Sequence, residues 1–220
     1  MSIYLTCKKP DILSTSQHWW LAALWTAYCI LHSVLAAAWW KNLVRQSLGS
    51  AFKFYRPAYS VFAALSLIGI LIYQFNIRSE EILLMPFWVK LIAIPVGAVG
   101  LVFMWKSIRK YFFYLSGIDV VINRPVVSRL ETGGLHKLVR HPLYFGTLTV
   151  IWCIFAWMPT FANAIACLVI TLYTIIGIQI EEHKLVLEFG DAYRDYQHQV
   201  SMLVPRPPKR NLRKDRFAHD

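Results

Sequence analysis

The sequence predicts an all-α fold, a polytopic membrane helix bundle with about five transmembrane helices and a C-terminal amphipathic cytoplasmic helix. Three observations predict it. Of 220 residues, 57% are hydrophobic and 15% aromatic, with mean hydropathy +0.44, which is more apolar surface than a soluble domain of this length needs. That apolar content is gathered into five runs, most of them near the ~20 residues that cross a bilayer. The loops between the runs alternate between base-rich and base-poor, as the positive-inside rule requires of a chain that weaves through a membrane.

The first run, 19–40, opens on Trp19-Trp20 and closes on Trp39-Trp40, the aromatic belts expected at two interfaces. The polar leader before it lacks a small-residue cleavage site and is not read as a removed signal peptide. The second run is 58–75, and the third, 83–105, holds Pro86 and Pro95, which start or kink the helix. Gly97 and Gly100 in that run allow a close helix approach. The fourth run, 143–157, is short, so residues from Val139 on must complete it and its polar start sinks into the interface. The fifth is 161–180. Beyond it, 181–200 reads as one amphipathic helix, with Leu185, Phe189, Tyr193 and Tyr196 on one face. Extended back three residues, that stripe reaches Glu182, which then needs a cationic or hydroxyl partner. Gly190 interrupts the helix and is expected to serve a tight packing contact. The chain divides into N-terminal helices and loop (1–127), a C-terminal catalytic region (128–207) and a basic, disordered tail (208–220).

The net charge of +11 follows from the same weave. Lys41, Arg45, Lys53 and Arg56 fill the first loop, and Lys106, Arg109, Lys110, Arg124, Arg129, Lys137 and Arg140 the third. The opposite loops carry Arg78 against Glu80 and Glu81, or no charge at all. The N-terminus is therefore expected outside and the C-terminus in the cytoplasm, with membrane lipids as partners of the basic loops. No nucleic-acid recognition module accompanies these bases, so no nucleic-acid partner is expected. Cys7, Cys29, Cys153 and Cys167 form no CxxC pair and suggest neither a disulfide framework nor a zinc site. The histidines assemble no set of ligand pairs, and no metal is expected.

Two charged clusters bracket the last two runs: Arg140-His141 before the fourth, and Glu181-Glu182-His183 after the fifth. A hairpin across a bilayer returns its ends to one side, so the clusters can meet, and ionisable groups at that depth are costly and usually functional. Taken singly, Arg140 and His141 are explained as interface anchors, Pro142 as a helix-start proline, and Glu181-Glu182 as a cap or a partner for Lys184. Their joint occurrence across one hairpin favours a site. His32-Ser33 in the first run reads as a packed, hydrogen-bonded pair rather than a ligand.

Residues 132–146, TGGLHKLVRHPLYFG, resemble the core of the isoprenylcysteine carboxyl methyltransferase superfamily. Glu181-Glu182, Phe189-Gly190, Tyr193, Tyr196 and Val200 resemble the C-terminal half of the same signature. His32-Ser33 and Arg56-Pro57-Ala58-Tyr59 are more loosely similar to the bacterial branch that includes methanethiol S-methyltransferases. The resemblance implies a membrane-embedded methyltransferase with S-adenosylmethionine as cofactor. Carried over residue by residue, cofactor contacts fall on Ser128, Arg129, Leu130 and Glu131, on His136, on His141, Pro142, Leu143 and Tyr144, and on Glu181. Arg140 and Glu182 are the candidate catalytic residues. Where the prenylcysteine enzymes place a substrate arginine one turn before the glutamates, this chain has Gly177.

The chemistry suits these residue types. Methyl transfer from a sulfonium is an in-line displacement that needs alignment and exclusion of water. A carboxylate such as Glu181 accepts bonds from ribose hydroxyls or an ammonium, and a thiol acceptor reacts best as its thiolate near positive charge. The expected acceptor is small and lipophilic, a thiol above all. The alternatives are a lipid or prenylcysteine methyltransferase, a non-enzymatic membrane subunit, and a nicotinamide-dependent membrane reductase.

Overall fold

The computed structural model describes residues 12–116 and 130–205. Among these the regular elements are all helices, joined by short loops, and one isolated bridge links Glu81 to Thr160. In chain order the helices are α1 (Ile12–Ala36), α2 (Ala38–Leu48), α3 (Tyr55–Asn76), α4 (Phe87–Ser116), α5 (Pro142–Trp157), α6 (Phe161–Phe189) and α7 (Asp191–Gln199). Four stretches are long and apolar enough to cross a membrane: Thr15–Ala36, Ala38–Asn76, Phe87–Phe112 and Phe161–Phe189. The fifth expected span, α5, is a shorter apolar helix of 16 residues. Trp20, Leu65, Leu101 and Leu172 are exposed on the outer faces, as they must be where lipid replaces water. The protein is a multi-pass helical bundle.

Two sequence expectations are corrected. The run 19–40 does not make one helix. The backbone turns extended at Ala37 (φ −67°, ψ 144°), so Trp39 and Trp40 belong to α2, an amphipathic helix with no buried residue. Its base Arg45 lies 4.6 Å over the Phe52 ring in the 3₁₀ turn that follows. The segment 181–200 is likewise two pieces. α6 runs without interruption from the membrane to Phe189, and α7 restarts after Gly190. Gly190 adopts φ +57°, and a Cβ there would meet nothing within 4 Å, so the turn rather than a tight contact calls for glycine.

α4 and α5 pack side by side. A Cβ on Gly146 would come 2.6 Å from the Gly100 oxygen and 2.9 Å from the Met104 nitrogen, so the two backbones touch. Phe103 meets Phe145 edge to face beside this point. α1 packs against α3 and α6 through Leu21, Trp25, Ile70, Ala162 and Ala166.

The loops gather into two ends. At one, Ile82 N–H donates to the Pro159 oxygen (2.8 Å) and Phe161 N–H to the Glu80 oxygen (3.1 Å), so the two base-poor loops lie together. A neutral relay lies nearby. Trp25 Nε1 donates to Gln74 Oε1 (2.8 Å), Gln74 Nε2 to Asn163 Oδ1 (2.8 Å), and Asn163 Nδ2 to the Met158 oxygen (2.8 Å). At the other end the bases Lys41, Arg45, Arg56 and Lys184 lie near one another. There the start of α5 meets the end of α6, as the hairpin reading requires.

Candidate functional site

The site is built on a backbone clamp. Gly134, at φ +59°, opens a 3₁₀ turn over Gly134–Lys137. The chain after it pairs with the segment beyond α7: Arg140 N–H donates to the Ser201 oxygen (2.9 Å) and His141 N–H to the Met202 oxygen (3.2 Å). Pro142 then starts α5 at its first position, where its missing N–H costs nothing. Arg140 and His141 are thereby fixed at the mouth of the hairpin.

Glu181 and Glu182 are adjacent on α6, so their side chains diverge by roughly 100°. Glu182 turns inward. Its Oε1 accepts from Arg140 Nε (2.6 Å) and lies 3.1 Å from His141 Nε2, while its Oε2 accepts from Gln197 Nε2 (2.9 Å). Arg140 Nη1 donates further to the Gln197 oxygen (3.1 Å) and the Val200 oxygen (2.5 Å). The Arg140 and Glu182 side chains are only 10% and 14% exposed, so this ion pair is withdrawn from solvent and well hydrogen-bonded. Glu182 on the apolar stripe thus has the cationic partner that its position demands.

Glu181 turns outward and stays 46% exposed. Its Oε2 accepts from the Tyr144 hydroxyl (3.0 Å) and lies 3.8 Å from His141 Nδ1. His141, itself 5% exposed, stands between the two glutamates and stacks on the Tyr144 ring. The structure therefore brings together Arg140, His141, Tyr144, Glu181 and Glu182. Pro142 is buried beneath them and Leu143 half-buried.

His136 and Glu131 sit to one side. The Arg140 carbonyl can only accept, so His136 Nδ1 donates to it (3.1 Å) and Nε2 accepts from the Tyr111 hydroxyl (3.1 Å). Burial lowers the His136 pKa, in keeping with this neutral form. Glu131 accepts from Lys110 Nζ (2.9 Å) and from Gly133 N–H (3.1 Å), and both hold its carboxyl below the usual range. Leu130 is half-buried beside it, and Ser128 and Arg129 lie outside the described residues.

Sequence reasoning missed Gln197, Ser201 and Met202. Gln197 follows the stripe residue Tyr196 by one position, and its polarity alone did not set it apart from a solvated face. Ser201 and Met202 act through their carbonyls, which no side-chain pattern reveals. Tyr196, on the predicted stripe, is buried and donates to the His136 oxygen (2.7 Å), tying α7 to the turn. Burial pushes its phenol up to about 12. The Tyr193 hydroxyl is buried and has no hydrogen-bond partner among the described residues.

A family described as "protein of unknown function (DUF1295)" matches residues 60–200. A protein of Bradyrhizobium diazoefficiens named methanethiol S-methyltransferase 1 is 32% identical over 83% of this chain, which spans 65% of that protein's length. The methanethiol S-methyltransferase of Pseudomonas deceptionensis is 30% identical over 82% of this chain and 70% of its own. The Mycobacterium tuberculosis protein of that name is 26% identical over 82% and 75%. No solved structure matches.

Proposed function

The chain belongs to the DUF1295 family and to the bacterial branch of the isoprenylcysteine carboxyl methyltransferase-like superfamily that includes the methanethiol S-methyltransferases, and from that membership we propose that it is a membrane methyltransferase that uses S-adenosylmethionine to methylate a small apolar thiol. The observation that carries this reading is the meeting of Arg140, His141 and Tyr144 with Glu181 and Glu182 at one end of the α5–α6 hairpin.

Glu181 fits the donor. Its Oε1 has no partner among the described residues, and the carboxylate is half-exposed beside a phenol. Such a group can accept bonds from an ammonium or from ribose hydroxyls. S-adenosylmethionine, when bound, supplies a methyl group on a sulfonium, transferable in line without a metal. Tyr144 orients Glu181, and His141, locked by Glu182, supports the same wall. Leu130, Glu131, His136, Pro142 and Leu143 flank it, and we include Ser128 and Arg129 in the proposed donor site. The Arg140–Glu182 pair serves the reaction by fixing His141 and the end of α6.

Gly177 lies one turn before Glu181, and a Cβ there would meet nothing within 4 Å. With no arginine at that position to clamp a carboxylate, the site favours an uncharged acceptor. The basic end of the bundle is the cytoplasmic end on this reading, which places the donor site in the compartment where the donor is made.

Calorimetry of the detergent-purified protein with S-adenosylmethionine and, separately, NADPH tests the donor. Binding of the first alone is expected, and binding of NADPH alone would make the protein a reductase. Methyl transfer to an alkyl thiol and to a farnesylcysteine analogue tests the acceptor. Turnover of only the farnesylated compound would move it to the prenylcysteine class. Reporter fusions at Asn76 and Thr160, which share one end of the bundle, are expected to read extracytoplasmic.

A further inference from the structure

α1 and α3 enclose an apolar cavity of ≈ 380 Å³ within the membrane-spanning part of the bundle. Leu24, Leu31 and Phe62 line it and are themselves exposed, so it opens sideways to lipid. Among the described residues, no Lys, Arg, Asp or Glu lines it. Its one imidazole is His32, and the site described above uses none of these residues.

His32 has the Tyr59 phenol against one side of its ring. The Tyr59 hydroxyl donates to the His32 backbone oxygen (3.1 Å) and lies 2.7 Å from His32 Nδ1. When the Tyr59 proton goes to that carbonyl, Nδ1–H donates to the phenol oxygen and Nε2 carries the lone pair that a base needs. Nε2 has no hydrogen-bond partner among the described residues. Tyr28 stacks on the ring and Tyr173 of α6 meets it edge on. Ser33 Oγ donates to the Tyr173 hydroxyl (3.1 Å).

Tyr173, Gly177 and Glu181 follow one another at four-residue intervals and share a face of α6. Open space surrounds Gly177. The strip from the His32 cluster to Glu181 therefore rises about 12 Å along the helix, within the extended length of the proposed donor.

We infer that this cavity is the acceptor pocket, that it takes an uncharged thiol carrying an apolar tail of several carbons from the bilayer, and that His32 is the base that ionises it. This rests on the methyltransferase reading. The S–H proton passes to Nε2, and a sulfur lone pair forms the new S–CH₃ bond. The pair of the breaking bond stays on the donor sulfur, which leaves as a thioether, and the imidazolium returns its proton to water. The cavity is far larger than a one-carbon thiol, within the range of pockets that hold ligands of many heavy atoms, and with no charged lining it offers nothing to a lipid headgroup.

The purified full chain is tested with labelled S-adenosylmethionine and a series from methanethiol to hexanethiol. kcat/KM is expected to rise about three- to fourfold per methylene. Gly69 lines the cavity and a Cβ there meets nothing within 4 Å, so Gly69→Leu is a foldable way to fill it. That variant is expected to flatten the chain-length series. His32→Gln is expected to lose about 10²-fold at neutral pH and to recover progressively as rising alkaline pH ionises the thiol unaided. The titratable groups facing His32 are Tyr28, Tyr59 and Tyr173. A pH-independent loss would overturn the base role. A photoreactive hexyl thioether, used without donor, is expected to label Tyr28, Tyr59 or Phe62, and less so in Gly69→Leu. Labelling elsewhere, or labelling displaced only by phospholipid with no chain-length effect, would overturn the pocket. Cavity labelling with no methyl transfer to any thiol would sink the methyltransferase reading and the base role, leaving a thiol-binding pocket. Methyl transfer without cavity labelling would sink this inference and spare that reading.

Discussion

The two ends of the bundle are held by networks of opposite character. At the base-poor end, Trp25, Gln74, Asn163 and the Met158 carbonyl form a neutral chain in which the Gln74 and Asn163 amides give and receive in turn. At the base-rich end, Arg140 and Glu182 pair largely out of solvent, yet they adjoin a half-exposed Glu181 whose Oε1 has no partner among the described residues. The neutral network is complete and its work is to join α1, α3 and α6. The charged one is complete only on its inner side. A polar group held in place and left unfinished is what a binding site requires, and a finished network is what a structural joint requires.

Substitutions can break or sharpen that contrast. The largest effect is expected of Glu182→Ala, which strands the Arg140 charge in a buried setting at a cost of about 3–5 kcal/mol, read as unfolding in mixed micelles. Replacement of both partners by methionine is expected to recover much of that stability, and failure to recover would show the pair to be more than a strut. Next comes Glu181→Gln. It is expected to weaken S-adenosylmethionine binding more than tenfold, the value of a charge-assisted bond at about 1.5–3 kcal/mol, with unfolding unchanged. His141→Ala should weaken the same binding. A Glu181 variant that loses stability instead would erase the distinction between the two networks. Gln74→Leu breaks the neutral relay and is expected to cost about 1–3 kcal/mol of stability with donor affinity unaltered in calorimetry. Last comes Gly190→Ala, where φ +57° with ψ −130° is a backbone conformation that suits glycine and imposes a penalty of about 1–3 kcal/mol on alanine. That penalty should appear as faster hydrogen exchange across α7.

The sequence carried the helices and the hairpin because hydropathy and loop charge report directly on which segments meet lipid. It also placed Glu182 inward, since a stripe drawn from Leu185 to Tyr196 passes through it even across the break at Gly190. Positions defined by a partner far along the chain were invisible. Gly146 carries no small neighbour four residues away to mark it. Its meaning lies in Gly100 on another helix, 46 positions earlier. Gln74 and Asn163 read as isolated polar residues in apolar runs, and partners far along the chain explain them: each other, with Trp25 for Gln74. The turn at Ala37 has neither proline nor glycine to announce it. The clamp from Ser201 and Met202 is a main-chain contact, and side-chain identity says little about those.

α5 begins at Pro142 and has 16 residues, so it rises about 24 Å, short of the ~30 Å hydrocarbon thickness of an average bilayer. Its neighbour α6, with 29 residues, has length to spare. The hairpin is thus mismatched between its two arms, and the surrounding lipid must thin around α5 or leave Arg140 and His141 below the headgroups. Under the proposed function, lipid thickness thereby becomes a variable of the site, setting how far water and a polar donor would descend to reach Glu181. Vesicles of shorter acyl chains would raise the donor's access, and thicker, more ordered membranes would bury the same residues beyond it.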